Sequence, residues 1–264
     1  MKIAILGTGN LGYSIAMGIV SQENFKVKNL YLTKRNIDSL QKWNKLPNIQ
    51  ISTDNKKAVQ FSDVIIIAVQ PKQLQGVLEE IKPLLNKKHH TIISVVTGRK
   101  INEIEGVIGK DFSIIRSMPN TAISVGKSMT CISGNEKGME NMELAKSIFN
   151  SVGETMCIDE KLMQAATVIC ASGIAFWMRL IRATTQGAVQ LGFDADEAQE
   201  LSMQTALGAA SLLIKSGNHP EQEIDKVTTP SGCTIEGLNE MEHQGLSSSL
   251  IKGLVTSFEK INQI

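Results

Sequence analysis

Six residues near the start of the chain, Gly7-Thr8-Gly9-Asn10-Leu11-Gly12, place three glycines at the spacing G-x-G-x-x-G. A run of short apolar residues, 3–6, precedes them and predicts a buried strand. Leu11, Ile15, Ala16 and Ile19 follow at helical spacing. Between strand and helix each glycine has a mechanical task. Gly7 permits the tight turn, Gly9 lets backbone approach a pyrophosphate, and Gly12 lets the helix lie close on the strand. The anion would sit at the helix N-terminus beside Asn10 and Leu11, where unpaired N–H groups and the macrodipole favour it. The chemistry implied is dinucleotide binding. The bland alternative is a strand-to-helix turn that binds nothing.

The next strand bears on which dinucleotide. A site for NAD places Asp or Glu about 20 residues beyond the glycines, accepting from the ribose hydroxyls. Here Asn29-Leu30-Tyr31-Leu32 runs into Thr33-Lys34-Arg35-Asn36, without an acid at the tip. A hydroxyl with Lys34 and Arg35 suits a 2′-phosphate, Arg through its bidentate fork. The expectation is NADP rather than NAD, against a solvated Lys-Arg pair.

Three further segments fall after predicted strands, where an α/β sheet holds its ligand. They are Ala68-Val69-Gln70-Pro71, Thr97-Gly98 and the stretch from Arg116 to Thr121. Asn120 is a candidate to orient a carboxamide or substrate group, with Met118 and Pro119 as an apolar wall beside a nicotinamide. Each alone also reads as plain turn chemistry. A fourth segment, Thr228-Thr229-Pro230-Ser231-Gly232-Cys233-Thr234, leads into a helical pattern and predicts an anion nest suited to a small carboxylate. Its bland alternative is an ordinary helix cap.

The elements that must position these residues form two halves. Continuous apolar runs at 64–69, 91–96 and 112–115 read as strands buried on both faces, and weaker strands are expected near 129–132 and 155–158. An amphipathic helix around Leu74, Val77, Leu78 and Ile81 and a helix at about 136–150 alternate with them. That alternation predicts a doubly wound parallel sheet. Beyond residue 158 the strand signal stops. Residues 162–191 are apolar and rich in small side chains, Asp194 opens a helix to Ser216, and Leu250, Ile251, Leu254, Val255, Phe258 and Ile261 recur at helical spacing. The expected domains are 1–158, dinucleotide-binding, and 159–264, all-helical. So apolar a helical half predicts self-association, at least to a homodimer.

The 264 residues carry a net charge of +1, which gives no reason to invoke nucleic acid or an acidic membrane. No uninterrupted apolar stretch is expected to reach membrane-spanning length, and residues 1–6 are too short for a signal peptide core. Cys131, Cys157, Cys170 and Cys233 form no C-x-x-C pair, and the four histidines show no ligand spacing. They read as reduced thiols of a cytoplasmic protein without a metal site.

Taken together, the glycine turn, the stretches 63–71 and 116–121, the helix from Leu162 and the loop at Thr229 resemble the pyrroline-5-carboxylate reductases nearly end to end. The loop is the most specific element, being similar to the family's S-P-G-G-T-T. The resemblance implies a Rossmann-type domain followed by a helical dimerisation domain, and NAD(P)H-dependent reduction of a cyclic imino acid to proline. It further implies that Ser231, Gly232, Cys233 and Thr234 hold the substrate carboxylate, with Thr234 the side chain closest to a catalytic role. Asn55 would contact the adenosine side of the cofactor, and Thr33, Lys34 and Arg35 its phosphate. The chain departs from the family at several places. The loop reads T-P-S-G-C-T, Cys170 to Ala175 replace S-G-S-G-P-A, Gln70 stands for the lysine of A-V-K-P, and Ala122 for a proline. Those departures leave two alternatives: a reductase of another cyclic imino acid, or a cofactor-binding relative without the chemistry. If Ser231 takes a positive φ, about 1–2 kcal/mol of left-handed strain accompanies it.

Overall fold

The computed structural model describes residues 1–21 and 27–262. Among the described residues eight strands form one sheet: β1 (Lys2–Leu6), β2 (Asn29–Thr33), β3 (Ile49–Ser52), β4 (Val64–Ile67), β5 (Thr91–Ser94), β6 (Ser113–Met118), β7 (Ser128–Gly134) and β8 (Gly153–Cys157). Their order is β3-β2-β1-β4-β5-β6-β7-β8. The chain starts in the middle, winds outward to β3, then crosses β1 to β4. That reversal opens a crevice beyond the carboxyl ends of β1 and β4, the position where such sheets take ligands.

Strand residues alternate between two cores. Ile3, Ile5, Leu30, Leu32, Val64 and Ile66 face one side with Ile15 and Ile19 of α1 (Asn10–Ser21). Ala4, Leu6, Ile65, Ile67 and Ile92 face the other. There they meet α2 (Asn55–Gln60), α3 (Leu74–Ile81) and α4 (Ile101–Ile108). Burial on both faces is why these strands are continuous Ile and Val rather than alternating with polar residues.

Three details differ from the sequence expectation. Strand β3 is an added edge strand, four residues long, too short for its Ile49/Ile51 alternation to stand out. The helix expected at 136–150 is two, α5 (Glu136–Glu140) and α6 (Met142–Asn150), broken at Asn141. The sheet is also not wholly parallel, because β7 runs antiparallel to β6, and β8 follows β7. Residues 119–127 joining β6 to β7 are fewer than the dozen or so a parallel crossover needs. They fold instead around a tight helical turn, Thr121–Val125.

The remaining helices are α7 (Met163–Ala166), α8 (Gly173–Gln190), α9 (Ala195–Ser216), α10 (Pro220–Val227), α11 (Cys233–His243) and α12 (Leu246–Ile261). Packing divides the chain into Met1–Ser172 with Phe258–Ile264, and Gly173–Ser257. Packing groups residues 159–172 with the first unit, because Met163 seals against Met118 and Cys131 at the sheet's edge. The second unit buries little apolar surface of its own. Its buried residues include Gly173, Thr185, Ala198 and Ser202, small or hydroxylic, while Trp177 is 65% exposed and Leu191 and Ile214 are each 84% exposed. The segment Glu160–Gln190 is long and apolar enough to cross a membrane by length and composition, with 17% of its most apolar window buried. Arg179 and Arg182 interrupt the segment in sequence, but the helix carries past them.

Glycine at position 18 lets α1 press onto the Thr121–Val125 turn. A Cβ there would run into the Ile123 carbonyl oxygen and lie 3.0 Å from Val152 Cγ1. Overpacking of that kind costs about 1–3 kcal/mol, more than the roughly 1 kcal/mol that alanine gains in a helix. Gly18→Ala is therefore expected to lower stability to urea. Gly76→Ala, where the Cβ would meet nothing within 4 Å, is expected to leave stability unchanged or raise it.

Candidate active site

The G-x-G-x-x-G turn lies at the carboxyl end of β1, over the crevice. Gly7 has φ +89°, a conformation glycine adopts without strain, and a Cβ there would sit 2.6 Å from Val69 Cγ1. A Cβ on Gly12 would sit 2.6 Å from the Gly7 oxygen, so this glycine sets how closely α1 approaches β1. Around Gly9 a Cβ would meet nothing within 4 Å. Gly7 and Gly12 thus have the turn and the close approach their spacing implied, and Gly9 borders the open side.

The turn is pinned from β2. Gly7 N and Thr8 N both donate to the Thr33 carbonyl oxygen, at 3.1 and 2.8 Å, and Gly9 N donates to Gly7 O at 2.8 Å. Beneath the turn, Thr33 is buried and its hydroxyl donates to Asn55 Oδ1 at 2.6 Å. The Asn55 amide in turn donates to Glu80 Oε2 at 2.9 Å. Thr33 and Asn55 are thus committed to a relay under the turn, which ends on Glu80, a residue sequence reasoning passed over. Lys34 donates to Ser39 Oγ at 2.8 Å, and Arg35 is exposed at the same strand tip.

Sequence reasoning also passed over Thr8. Its side-chain oxygen is buried without a hydrogen-bond partner among the described residues, inside the glycine turn. A buried unpartnered hydroxyl costs about 1–3 kcal/mol. Its position between Gly7 and Gly9, beside an open flank and a helix N-terminus, fits a bound phosphate oxygen. The residue order itself was the available signal, since Thr8 is the variable residue between the first two glycines.

The other strand ends of this unit are less open. Ala68 and Val69 are half-buried against Gly7, while Gln70 is exposed and its N–H donates to Gln73 Oε1 at 3.1 Å, capping the turn that begins at Pro71. Met118 is packed with Cys131 and Met163, and Pro119 is buried, so neither presents an open wall. Asn120 accepts from Ala122 N at 2.9 Å and donates to Cys170 O at 2.9 Å. Its side chain braces backbone rather than reaching toward a ligand. Arg116 is likewise internal. Nη1 lies 3.3 Å from Glu160 Oε1, which also accepts from Ile101 N, while Nε and Nη2 have no partner among the described residues. Burial pulls the Arg116 pKa down, and Glu160 beside it pushes it back up.

In the second unit the loop after α10 forms a tight turn. Gly232 N donates to Thr229 O at 3.0 Å, with Pro230 and Ser231 at its corners. Ser231 has φ +57°, the left-handed conformation usually left to glycine at this corner. A Cβ on Gly232 would strike Thr229 Oγ1. Gly232 is the residue ahead of α11, and no side chain caps that helix. Cys233 and Thr234, exposed in the first turn, stand beside backbone N–H groups that the helix leaves free.

Comparison with known proteins agrees with both units. Residues 160–264 match the family described as pyrroline-5-carboxylate reductase dimerisation, and residues 2–98 match NADP oxidoreductase, coenzyme F420-dependent. Pyrroline-5-carboxylate reductase 2 of Dictyostelium discoideum is 45% identical over 98% of this chain and 91% of its own length. Pyrroline-5-carboxylate reductase 1 of the same organism is also 45% identical over 98% of this chain, which spans 49% of that protein. A crystal structure of Plasmodium falciparum pyrroline carboxylate reductase with NADP bound superimposes with a TM-score of 0.89 at 26% identity, covering 100% of this chain and 97% of that one. With likeness of this extent on both units, the chain belongs to the pyrroline-5-carboxylate reductase family.

Proposed function

We propose that the chain reduces 1-pyrroline-5-carboxylate to L-proline with NADPH, as a cytoplasmic enzyme working as a homodimer or larger assembly. The observation that carries the reaction is 45% identity to a reductase of that name along nearly the whole of both chains. The wider family likeness includes a solved relative with NADP bound. A reduced nicotinamide, when bound, supplies the hydride.

This chain's residues bind and orient. The N–H groups of Asn10, Leu11 and Gly12 at the α1 N-terminus, with the Thr8 hydroxyl, hold the pyrophosphate, since those of Gly7, Thr8 and Gly9 already donate within the turn. Since Thr33 and Asn55 bond to each other, recognition of a 2′-phosphate falls to Lys34 and Arg35. The free N–H groups at the start of α11, with Thr234, receive the substrate carboxylate. No proton need be taken from carbon: a protonated imine accepts hydride directly, so placement and exclusion of water supply the catalysis. The exposed apolar faces of α8 and α9 are proposed to close on a second copy of the chain. That reading draws on the dimerisation match over residues 160–264. The four cysteines are unpaired, the state a reducing compartment maintains.

The direct test follows NADPH oxidation by absorbance with 1-pyrroline-5-carboxylate and a panel of other cyclic imines. Turnover of another imine alone would replace the substrate assignment, and NADPH binding without turnover of any would leave only a cofactor-binding protein. Loss of one charged hydrogen bond costs roughly 1.5–3 kcal/mol, about tenfold or more. Arg35→Ala is therefore expected to raise KM for NADPH by that factor and leave NADH nearly unchanged. Equal losses with both cofactors would remove the phosphate assignment.

Thr234→Ala is expected to lower kcat/KM for the imine roughly 10- to 100-fold with little change in cofactor affinity. Thr234→Ser should keep most of the activity, and full activity in the alanine variant would rule out the carboxylate role.

Ser231→Gly relieves left-handed strain of about 1–2 kcal/mol, offset by roughly 0.4–1 kcal/mol of added freedom in the unfolded chain. Urea unfolding is expected to place it within about 1 kcal/mol of wild type, with turnover preserved or improved. A large loss of either would show that the serine side chain itself is needed.

A further inference from the structure

We propose that Cys131 and Cys170 form a peroxide-sensitive dithiol, in which Cys170 reacts with a hydroperoxide and Cys131 resolves the product into a disulfide. The two Sγ atoms lie 4.0 Å apart, 39 positions apart in sequence. Cys131 sits in β7 and is buried, whereas Cys170 is half-buried in the wide helical turn Thr167–Ser172. Met118 and Met163 complete a sulfur-rich apolar pocket around them, with Ile158 and Ala166. Cys157, beside Lys146, and Cys233 are exposed thiols outside this pair, which makes them controls for unspecific linkage.

The pair is asymmetric in the way such chemistry requires. Either thiol can donate across the contact; with Cys131 as the donor, the Cys170 pKa comes down to about 7 against the opposing effect of burial. The same contact, with burial, pushes Cys131 well up. Cys170 is thus the more readily ionised and the more accessible of the two. Cys131 keeps its proton until it acts.

In the first step the Cys170 thiolate attacks the outer oxygen of ROOH. A sulfur–oxygen bond forms and the O–O bond breaks. The alkoxide takes a proton from water and leaves as ROH, so Cys170 becomes a sulfenic acid. In the second step Cys131 sulfur attacks Cys170 Sγ. The S–S bond forms, the S–OH bond breaks, and hydroxide leaves with the Cys131 proton as water. Two thiols are oxidised and one peroxide is reduced. The sulfurs must close from 4.0 Å to the roughly 2.0 Å of a disulfide. The element that would move is a π-type turn, whose wider backbone bonding is often found where helices adapt.

The proposal does not depend on the reductase reading, and its test reads sulfur rather than turnover. The fully reduced whole protein is treated with hydrogen peroxide at neutral pH and followed by intact mass, thiol titration and peptide mapping without reductant. The expected result is loss of two hydrogens, a fall from four free thiols to two, and a peptide pair joined through Cys131 and Cys170. Cys170, the more readily ionised member of its pair, should be oxidised before Cys157 or Cys233. Cys131→Ser should halt the reaction at a sulfenic acid on Cys170 that dimedone traps, and Cys170→Ser should abolish the linkage. A linkage through Cys157 or Cys233, or oxidation of Cys170 no faster than theirs, would overturn the proposal. The mapping on the wild-type protein decides the matter even if either variant folds poorly.

Discussion

One carbonyl oxygen, that of Thr33, holds the cofactor end of this molecule together. It accepts from Gly7 N and Thr8 N, so the tip of β2 fixes the turn that leaves β1. Without that pair of bonds the positive φ at Gly7 would have nothing to hold it. The N-terminus of α1 would then lose its aim over the crevice. Thr33 can serve this way because its own hydroxyl is anchored, through Asn55, to Glu80 on α3. A three-residue relay from a helix on one face of the sheet thereby braces a loop at its edge. The open flank at Gly9 and the unpartnered Thr8 hydroxyl are the two features this bracing leaves available to an anion.

The second unit follows a different constraint. Helices α8 and α9 bury small and hydroxylic side chains, with Thr185 and Ser202 returning their hydroxyls to carbonyls one turn back. The large apolar residues of the same helices stay exposed. Such a unit cannot draw enough stabilisation from its own burial, since apolar area removed from water contributes about 25 cal/mol per Å² and little is removed here. A second copy closing on these faces, as proposed above, would supply that missing burial. Its loop at Thr229 carries local strain at Ser231, and the uncapped start of α11 keeps its N–H groups free instead of satisfying them internally. Both features cost stability and both leave a surface suited to an anion, as the proposed carboxylate site requires.

Legibility from sequence tracked the range of the forces involved. The glycine turn was readable because its requirements are steric and local: a positive φ at Gly7 and close approach at Gly12 exclude other residues wherever the turn occurs. The buried strands were readable because burial on both faces writes itself as Ile and Val. Strand β3 was not, since four residues at an edge carry too little pattern. Asn120 and Met118 looked like ligand-facing residues because they follow a strand. Contacts with Cys170, Cys131 and Met163, 13 to 50 positions away, turned them inward. No local signal encodes such contacts.

The amino-acid sequence by itself determined the two-part architecture, the dinucleotide turn, the basic tip of β2 and the loop at Ser231 to Thr234. Each of these depends on backbone sterics or on the periodic burial of neighbouring residues. Tertiary structure alone decided that β7 reverses direction and that Thr33 and Asn55 bond each other beneath the turn. It also decided that Thr8 is left without a partner and that Cys131 meets Cys170. Those outcomes depend on which distant side chains compete for the same hydrogen bond or the same space, and that competition exists only once the chain has folded.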